Sequence, residues 1–166
     1  KKLIMKNILV IVALLAFSFG NAQAFIGKGD SKLQIGANLQ DNASGLNVAY
    51  DYGIGENISL GLSSTYSLGV EESLDADFGN RIDLKARFNA NIGNVLNLSE
   101  NFDIYPGLSF GFKNFGGHLG ARYFFTDGFG IYTEFNTPLA KYDDKLTTAE
   151  TLHNQFTVNF GAVFNL

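Results

Sequence analysis

The sequence predicts an all-β protein, an eight-stranded antiparallel up-and-down β-barrel, and three observations support this prediction. Apolar and polar residues alternate with a period of two in eight segments, as in strands with two different faces. The composition is rich in Gly, Phe and Tyr, with 19, 16 and 7 residues, and contains only 2 Pro. The last segment stays apolar on one face to the final residue, and barrel closure would give this edge a partner.

The first 24 residues have the features of a secretory signal peptide. Three lysines lie within the first six residues, 12 mostly apolar residues follow over Ile8–Phe19, and Ala22-Gln23-Ala24 matches a small-residue cleavage site. Twelve residues are fewer than the roughly 20 that a membrane-spanning helix requires. We therefore expect residues 1–24 to be a cleaved signal peptide and residues 25–166 to be the barrel domain.

The eight predicted strands are separated by short turns and by longer, acidic connections. The strands are Ser31–Gln40, Gly45–Tyr52, Asn57–Gly69, Arg81–Ile92, Phe102–Phe112, Gly117–Phe125, Phe129–Thr137 and Gln155–Leu166. Pro106 lies inside the fifth strand, where it predicts a bulge or a locally weak ladder. The connections near 70–80 and 138–153 are the longest and carry most of the loop acids, so we expect both at the external end.

The polar faces of the strands indicate whether the apolar side of the barrel faces inward or outward. A soluble lipocalin-type barrel has its apolar face inside, whereas an outer-membrane barrel has it outside. The third strand offers only small uncharged groups from Ser59 to Ser67 on its polar face, and a soluble surface normally carries many charges. Aromatic residues near strand ends are typical of interfacial girdles, and they are Tyr50, Tyr52, Tyr105, Tyr123, Phe125 and Phe129. These features favour a transmembrane barrel with its apolar faces in lipid.

Charges of both signs fall on the polar faces and are therefore expected inside the barrel. They are Asp51, Arg81, Asp83, Lys85, Arg87, Arg122 and Glu134. Buried charges are costly unless paired, and an eight-stranded barrel has an interior just wide enough for side chains. The set is therefore interpreted as a salt-bridged plug, with a selectivity lining or gate of a small pore as the alternative. Glu134 is the expected acidic partner, since it lies one strand from Arg122.

The sequence contains no motif for catalysis, for a metal or for a cofactor. Asp75, Asp77 and Asn80, with Glu71 and Glu72 nearby, are the best candidate for Ca²⁺, but they lack the 12-residue loop pattern with its terminal Glu, so a solvated acidic loop is expected. The two histidines, His118 and His153, have no convergent ligands in the sequence. Cysteine is absent, which excludes disulfides and thiolate sites. We predict a protein without enzymatic activity.

Charge excludes nucleic acid as a partner. The residues after Ala24 contain nine Lys and Arg against 16 Asp and Glu, a formal charge of −7. Phosphate contacts require clustered basic side chains, and none are present here. Outer-membrane lipid is the expected surrounding, together with a surface partner bound through loops 70–80 and 138–153, and the chain is expected to be a monomer.

The chain resembles the small outer-membrane β-barrels of the OmpA-transmembrane-domain and OmpX type. The resemblance rests on the cleaved signal, the eight alternating strands, the acidic outer loops and the ending Phe164-Asn165-Leu166. The resemblance covers the whole mature chain. It implies the outer membrane of a Gram-negative-type bacterium and recognition of the last strand, through Phe160, Phe164 and Leu166, by the barrel-assembly machinery. The family commonly ends in an aromatic residue, whereas this chain ends in Leu166.

Three functions remain open from the sequence. The first is an integral outer-membrane barrel with a structural or surface-interaction role, its lumen filled by polar and charged side chains. The second is a narrow pore or transport barrel. The third is a soluble secreted barrel that binds an apolar ligand inside.

Overall fold

A computed structural model describes residues 23–70, 77–142 and 150–166 of the chain. Residues 1–22, which include most of the predicted signal peptide, and the loop acids Glu71, Glu72 and Asp75 lie outside the described residues. The described residues form one closed antiparallel barrel in which each strand pairs with its neighbours in sequence and β1 pairs with β8. The predicted all-β, eight-stranded, up-and-down barrel is therefore confirmed.

The strand positions follow the alternation in the sequence, with shifts of up to four residues at the ends. The strands are β1 (Ser31–Gln40), β2 (Ala43–Gly53), β3 (Ile58–Val70), β4 (Ile82–Ala90), β5 (Phe102–Gly111), β6 (Asn114–Thr126), β7 (Phe129–Lys141) and β8 (Thr157–Asn165). A four-residue helix, α1 (Phe78–Arg81), precedes β4, and a 3₁₀ helix (Glu150–His153) precedes β8. Among the described residues no helix is both long and apolar enough to cross a membrane.

The connections define two ends of the barrel. The terminal end holds the start of β1, the end of β8 and the connections 54–57, 91–101 and 127–128, while the loop end holds 41–42, 112–113 and the described parts 77–81 and 150–156 of the two longer connections. Asn42 adopts a φ of 60° in the two-residue turn between β1 and β2, a conformation that asparagine tolerates better than most residues. The two longest predicted connections are both at the loop end.

The ladder between β4 and β5 is the shortest in the barrel. It covers five residue pairs and ends at Asn89 paired with Gly107, next to Pro106. Proline has no N–H to donate to a neighbouring strand, so the position predicted to weaken the ladder lies where it stops. The other side of β5 remains paired with β6 through Pro106 itself.

Closure between β1 and β8 depends on two glycines that face each other across the pair. Gly36 pairs with Gly161. A Cβ atom added to Gly36 would lie 2.2 Å from the carbonyl oxygen of Phe160, and one added to Gly161 would lie 2.3 Å from that of Ile35. The strands approach so closely here that no larger residue fits without a backbone shift.

The barrel is apolar outside and polar inside. Large exposed apolar side chains cover the outer wall, including Ile35, Leu46, Val48, Leu60, Leu62, Leu84, Phe88, Leu108, Leu119, Ile131, Phe135 and Phe160. Asn, Ser, Asp, Arg and Glu side chains fill the interior, which we call the bore. One predicted outward residue was placed wrongly, because Tyr105 is fully buried in the bore rather than in an aromatic girdle.

Candidate functional site

The centre of the bore is a cluster of two arginines and three acids, which we call the central cluster. Arg87 donates from Nη2 to Glu134 Oε2 at 2.6 Å, and its Nε lies 3.1 Å from Asp51 Oδ1. Arg122 donates from Nη2 to Asp103 Oδ2 at 2.9 Å, and its Nη1 lies 3.9 Å from Asp51 Oδ2. Asp51 thus lies between the two guanidinium groups and joins the two ion pairs into one network.

The ring of Tyr105 contacts both guanidinium groups of the central cluster. Its ring centroid lies 4.5 Å from Arg122 Cζ and 5.8 Å from Arg87 Cζ, distances typical of cation–π contacts. Gln34 donates from Nε2 to the Tyr105 hydroxyl at 2.9 Å. A Cβ on Gly120 would lie 2.1 Å from the Tyr105 ring, so the glycine provides the space for the phenol.

The acidic partners differ from those expected from the sequence. Glu134 pairs with Arg87, whereas Arg122 pairs with Asp103, which was not predicted. Asp103 and Arg122 are direct cross-strand partners of β5 and β6, and Asp103 shares its face with Tyr105. Asp103 alternates with the outward-facing residues of β5 but was not included among the expected lumen charges, and the register shows that it faces Arg122.

Amides and hydroxyls continue the network around the central cluster. Asn89 and Asn91 both donate from Nδ2 to the Ser59 hydroxyl, at 3.0 and 3.1 Å. The His118 ring nitrogen Nε2 lies 2.7 Å from Asn89 Oδ1, and Arg122 donates to Asn91 Oδ1. These contacts make His118 a buried member of the hydrogen-bond network in the bore.

The terminal end of the bore is closed by the segment Phe25–Asp30. Ile26 donates its N–H to Asp30 Oδ2 at 2.7 Å, and Gly53 donates its N–H to the Asp30 carbonyl at 2.7 Å. Phe25 is buried, with its ring 6.0 Å from both Lys32 Nζ and Arg122 Cζ. Lys32 forms an ion pair with Asp30. The charges at this end, like Asp103, were not among the predicted lumen residues.

The loop end of the bore is covered by the 3₁₀ helix. Leu152 is 1% exposed, and Asn114 donates from Nδ2 to the His153 carbonyl at 2.7 Å. The His153 ring forms a hydrogen bond with the Asn80 carbonyl, and its Nδ1 lies 3.9 Å from Asp83 Oδ2. Lys85 lies 3.3 Å from the same Asp83 oxygen. The 3₁₀ helix therefore contacts both α1 and β4 above the loop end of the bore, and we call this 3₁₀ helix with its contacts the cover.

One predicted lumen charge lies elsewhere. Arg81 is half-buried and ends α1 at the loop end, where Nη1 donates to the Leu68 carbonyl at 3.4 Å. Its inward position was inferred from an extended fourth strand, but β4 begins at Ile82. Of the seven predicted charges, Asp51, Arg87, Arg122 and Glu134 therefore meet in the central cluster, while Asp83 and Lys85 lie nearer the loop end.

The candidate Ca²⁺ residues are only partly within the described chain. Asp77 is exposed before α1, and the Asn80 carbonyl is used by His153. In residues 23–70, 77–142 and 150–166, no group of three or more His, Cys, Asp or Glu side chains is placed to hold a metal ion.

We expect acid to destabilise the cover through His153. Burial is the main cause that lowers the pKa of His153 below its ordinary value of 6.5, and Lys113 and Lys85 lower it further, although the Asn80 carbonyl and Asp83 act in the opposite direction. Between the folded-state pKa and 6.5, the unfolded chain binds a proton that the folded chain does not. Stability is therefore complete above about pH 6.5 and falls as the pH is lowered.

Urea unfolding at pH 7.5 and pH 5 measures this effect. The wild-type midpoint is expected to fall more between the two pH values than the midpoint of a His153→Gln variant, which cannot titrate. Equal losses in both proteins would show that another group is responsible.

Two solved structures are similar to this chain, and the first of them agrees with the barrel fold. A structure from work on the de novo design of transmembrane β-barrels has a TM-score of 0.53 and 10% sequence identity, and the match covers 84% of this chain and 97% of that chain. The outer-membrane protein Ail of Yersinia pestis, solved in a phospholipid bilayer nanodisc, has a TM-score of 0.47 and 16% identity, and the match covers 84% of this chain and all of that one. At 10% identity, the first likeness shows the fold alone.

Sequence comparison supplies a family rather than an activity. No curated protein sequence matches the chain. A family model matches residues 15–166, which include every strand of the barrel. The chain therefore belongs to DUF6646, a family of unknown function.

Proposed function

We propose that the protein is an integral, non-enzymatic β-barrel of the outer membrane of a Gram-negative-type bacterium, with a structural or surface-interaction role. The main observation behind this proposal is that the outer wall is apolar, while the bore is filled by charged and amide side chains. Outer-membrane barrels have this arrangement, and soluble ligand-binding barrels have the reverse. The likeness to a transmembrane barrel design supports the same proposal.

The filled bore supports a structural role over transport. Arg122 is 1% exposed and Glu134 is 2% exposed, so the central cluster leaves little space at the middle of the barrel. Phe25 closes the terminal end and Leu152 lies buried at the loop end. Eight strands enclose an interior that side chains can fill completely. A narrow pore would need all three of these obstructions to move, because they lie one after another along the bore.

The loop end is the proposed surface for a partner. Phe78, Phe112, Leu139 and Tyr142 are all more than half exposed there. Aromatic and apolar side chains at one end of a barrel suit an interfacial girdle or contact with a partner. The acidic stretches 71–76 and 143–149, which complete the predicted partner loops, lie outside the described residues.

Assembly as a monomer through the last strand is part of the proposal. Phe160 and Leu166 are exposed on the outer wall, and Phe164 packs on Phe129 with ring centroids 5.6 Å apart. Leu166 donates its N–H to the Ser31 carbonyl at 3.0 Å, so the final residue still takes part in barrel closure. These side chains are available for recognition by the barrel-assembly machinery before insertion.

Cell fractionation tests the location directly. We expect the protein in the outer-membrane fraction, resistant to extraction by salt or carbonate, and faster on an electrophoresis gel when unheated than when boiled. A variant that combines Gly36→Ala with Gly161→Ala supplies an unfolded reference for the gel shift. Recovery of wild-type protein in a soluble periplasmic fraction would refute the proposal.

Single-channel recording tests the closed bore. Purified protein in a planar bilayer is expected to show no steady conductance in molar KCl, because the central cluster and both end closures obstruct the path. Insertion is verified in parallel by the heat-dependent gel shift. A steady conductance from inserted wild-type protein would favour the narrow pore instead.

A further inference from the structure

The segment that closes the terminal end of the bore is preceded by a buried alanine. Ala24 is 1% exposed and donates its N–H to the Glu100 carbonyl at 2.7 Å. Gln23, the residue before it, is exposed. The chain therefore passes from solvent into the barrel interior between Gln23 and Ala24.

Ala24 belongs to an apolar cluster on the inner wall of the barrel. The other members are Phe124, Tyr132 and Val163, which are all buried. Phe124 and Val163 lie on the inward faces of β6 and β8, on either side of Gly130, which pairs with both of them. They are apolar residues in a bore that is filled mainly by charges and amides. Contact with Ala24 therefore buries apolar surface at a place where the rest of the bore offers polar groups.

The sequence contains two bonds that a signal peptidase could cut. The segment before the cut bond has the form small-x-small, as in Ala-x-Ala. Ala22-Gln23-Ala24 has this form for a cut after Ala24, which is the boundary expected from the sequence. Gly20-Asn21-Ala22 has the same form for a cut after Ala22. The two cuts differ in what they would leave at the terminal end of the bore.

A cut after Ala24 would remove one member of the apolar cluster and create a charge in the interior. The new ammonium group would belong to Phe25, a buried residue whose ring lies 6.0 Å from both Lys32 Nζ and Arg122 Cζ. Asp30, the acid of this segment, already forms an ion pair with Lys32. A buried charge close to like charges is costly, so this cut would destabilise the terminal end.

We propose that signal peptidase cuts the bond between Ala22 and Gln23, so that the exported protein begins at Gln23 and keeps Ala24 in the apolar cluster. This cut leaves the new ammonium group on an exposed residue, where water solvates it. It also preserves the hydrogen bond from Ala24 to the Glu100 carbonyl. The inference rests on the predicted signal peptide, moves its end from Ala24 to Ala22 and goes beyond the proposed envelope role.

Mass spectrometry of the N-terminal peptide tests the proposal. The full precursor is expressed, and the processed protein is purified from the cell fraction that contains it and digested. The N-terminal peptide is expected to begin at Gln23, with or without the loss of ammonia that occurs when the glutamine α-amine attacks its own side-chain amide carbon. A peptide that begins at Phe25, or a protein that retains its signal segment, would overturn the proposal.

Two precursor variants distinguish the two bonds. Gly20→Leu places a large residue at the third position before the proposed bond and leaves Ala22-Gln23-Ala24 intact, so uncleaved precursor is expected to accumulate. Ala24→Leu places a large residue directly before the alternative bond only, so processing is expected to continue as in the wild type. The reverse pattern, with normal processing of Gly20→Leu and accumulated precursor of Ala24→Leu, would assign the cut to the bond after Ala24.

The processed Ala24→Leu protein also tests the packing of Ala24. Leucine is too large for the buried position of the alanine, so the melting temperature of the barrel is expected to fall by about 5 °C. Ile26→Leu, at an exposed position of the same segment, is the matched control and is expected to melt like the wild type. An unchanged melting temperature for Ala24→Leu would contradict the structural use of Ala24. Fractionation does not depend on which bond is cut, so a failure of this inference leaves the envelope proposal untouched.

Discussion

A Gly36→Ala variant is expected to lose about 3 kcal/mol of stability and, combined with Gly161→Ala, to fail to close. The added Cβ at Gly36 would lie 2.2 Å from the Phe160 carbonyl oxygen, and backbone atoms of a paired strand cannot move aside as a side chain can. The strain falls on the pair that seals the barrel, so the two chain ends would separate. The folded fraction on unheated gels and the urea midpoint both measure this result.

Gly79→Ala provides the matched control. Gly79 lies in α1, and a Cβ there meets no atom within 4 Å. Its stability is expected to stay within about 0.5 kcal/mol of the wild type. If the Gly36 and Gly79 variants unfold at the same urea concentration, the close approach of β1 and β8 is not a requirement of the fold.

Replacing Arg87 with methionine is expected to cost about 3–5 kcal/mol. Methionine has a similar length and no charge, so packing changes little while Asp51 and Glu134 both lose the cation that lies within 3.1 Å of them. Only Arg122 then remains against the three acids of the central cluster. Urea titration of the folded barrel, followed by gel mobility, measures the loss.

Two variants of acidic residues test whether the stability loss of Arg87→Met has an electrostatic cause. Glu134→Gln removes one acid from a cluster with an excess of acids, so its cost is expected to be only about 1 kcal/mol, from the weakened hydrogen bond. Asp77→Asn, at an exposed position, is expected to have almost no effect. The expected order of loss is Arg87→Met, then Glu134→Gln, then Asp77→Asn. Equal losses for Glu134→Gln and Asp77→Asn would mean that the ion pair of Glu134 with Arg87 contributes nothing to stability.

The fold and the bore were predictable from the sequence to different extents. Alternation over β1 places Lys32, Gln34 and Asn38 on one face whatever the partner strand is, and the structure has all three buried. The same rule applies to Asp103 and Tyr105, yet Tyr105 was assigned to a girdle because aromatic residues near strand ends occur at interfaces too. The residue type of Tyr105 predicted a position at the membrane interface, whereas its place in the alternation predicted an inward side chain, and the structure has the side chain inward.

The alternation of polar and apolar residues could not predict which acid pairs with which arginine inside the bore. Glu134 lies on the strand next to Arg122, but its acceptor oxygens meet Arg87, 47 residues away in sequence and on the far side of the bore. Contacts across a barrel depend on its closure, on the shear between strands and on side-chain length. The residue pattern within one strand contains no information on closure, on shear or on how far a side chain reaches across the bore.

The sequence by itself determined that eight strands alternate, which face of each is polar and that the polar faces carry charges of both signs, because a period of two is a property of each strand alone. The tertiary structure decided which acid meets which base, that Phe25 and Leu152 close the two ends and that Arg81 lies in α1 at the loop end rather than in β4. These features arise only when β8 meets β1 at Gly36 and Gly161, since closure is what brings distant side chains into one enclosed space.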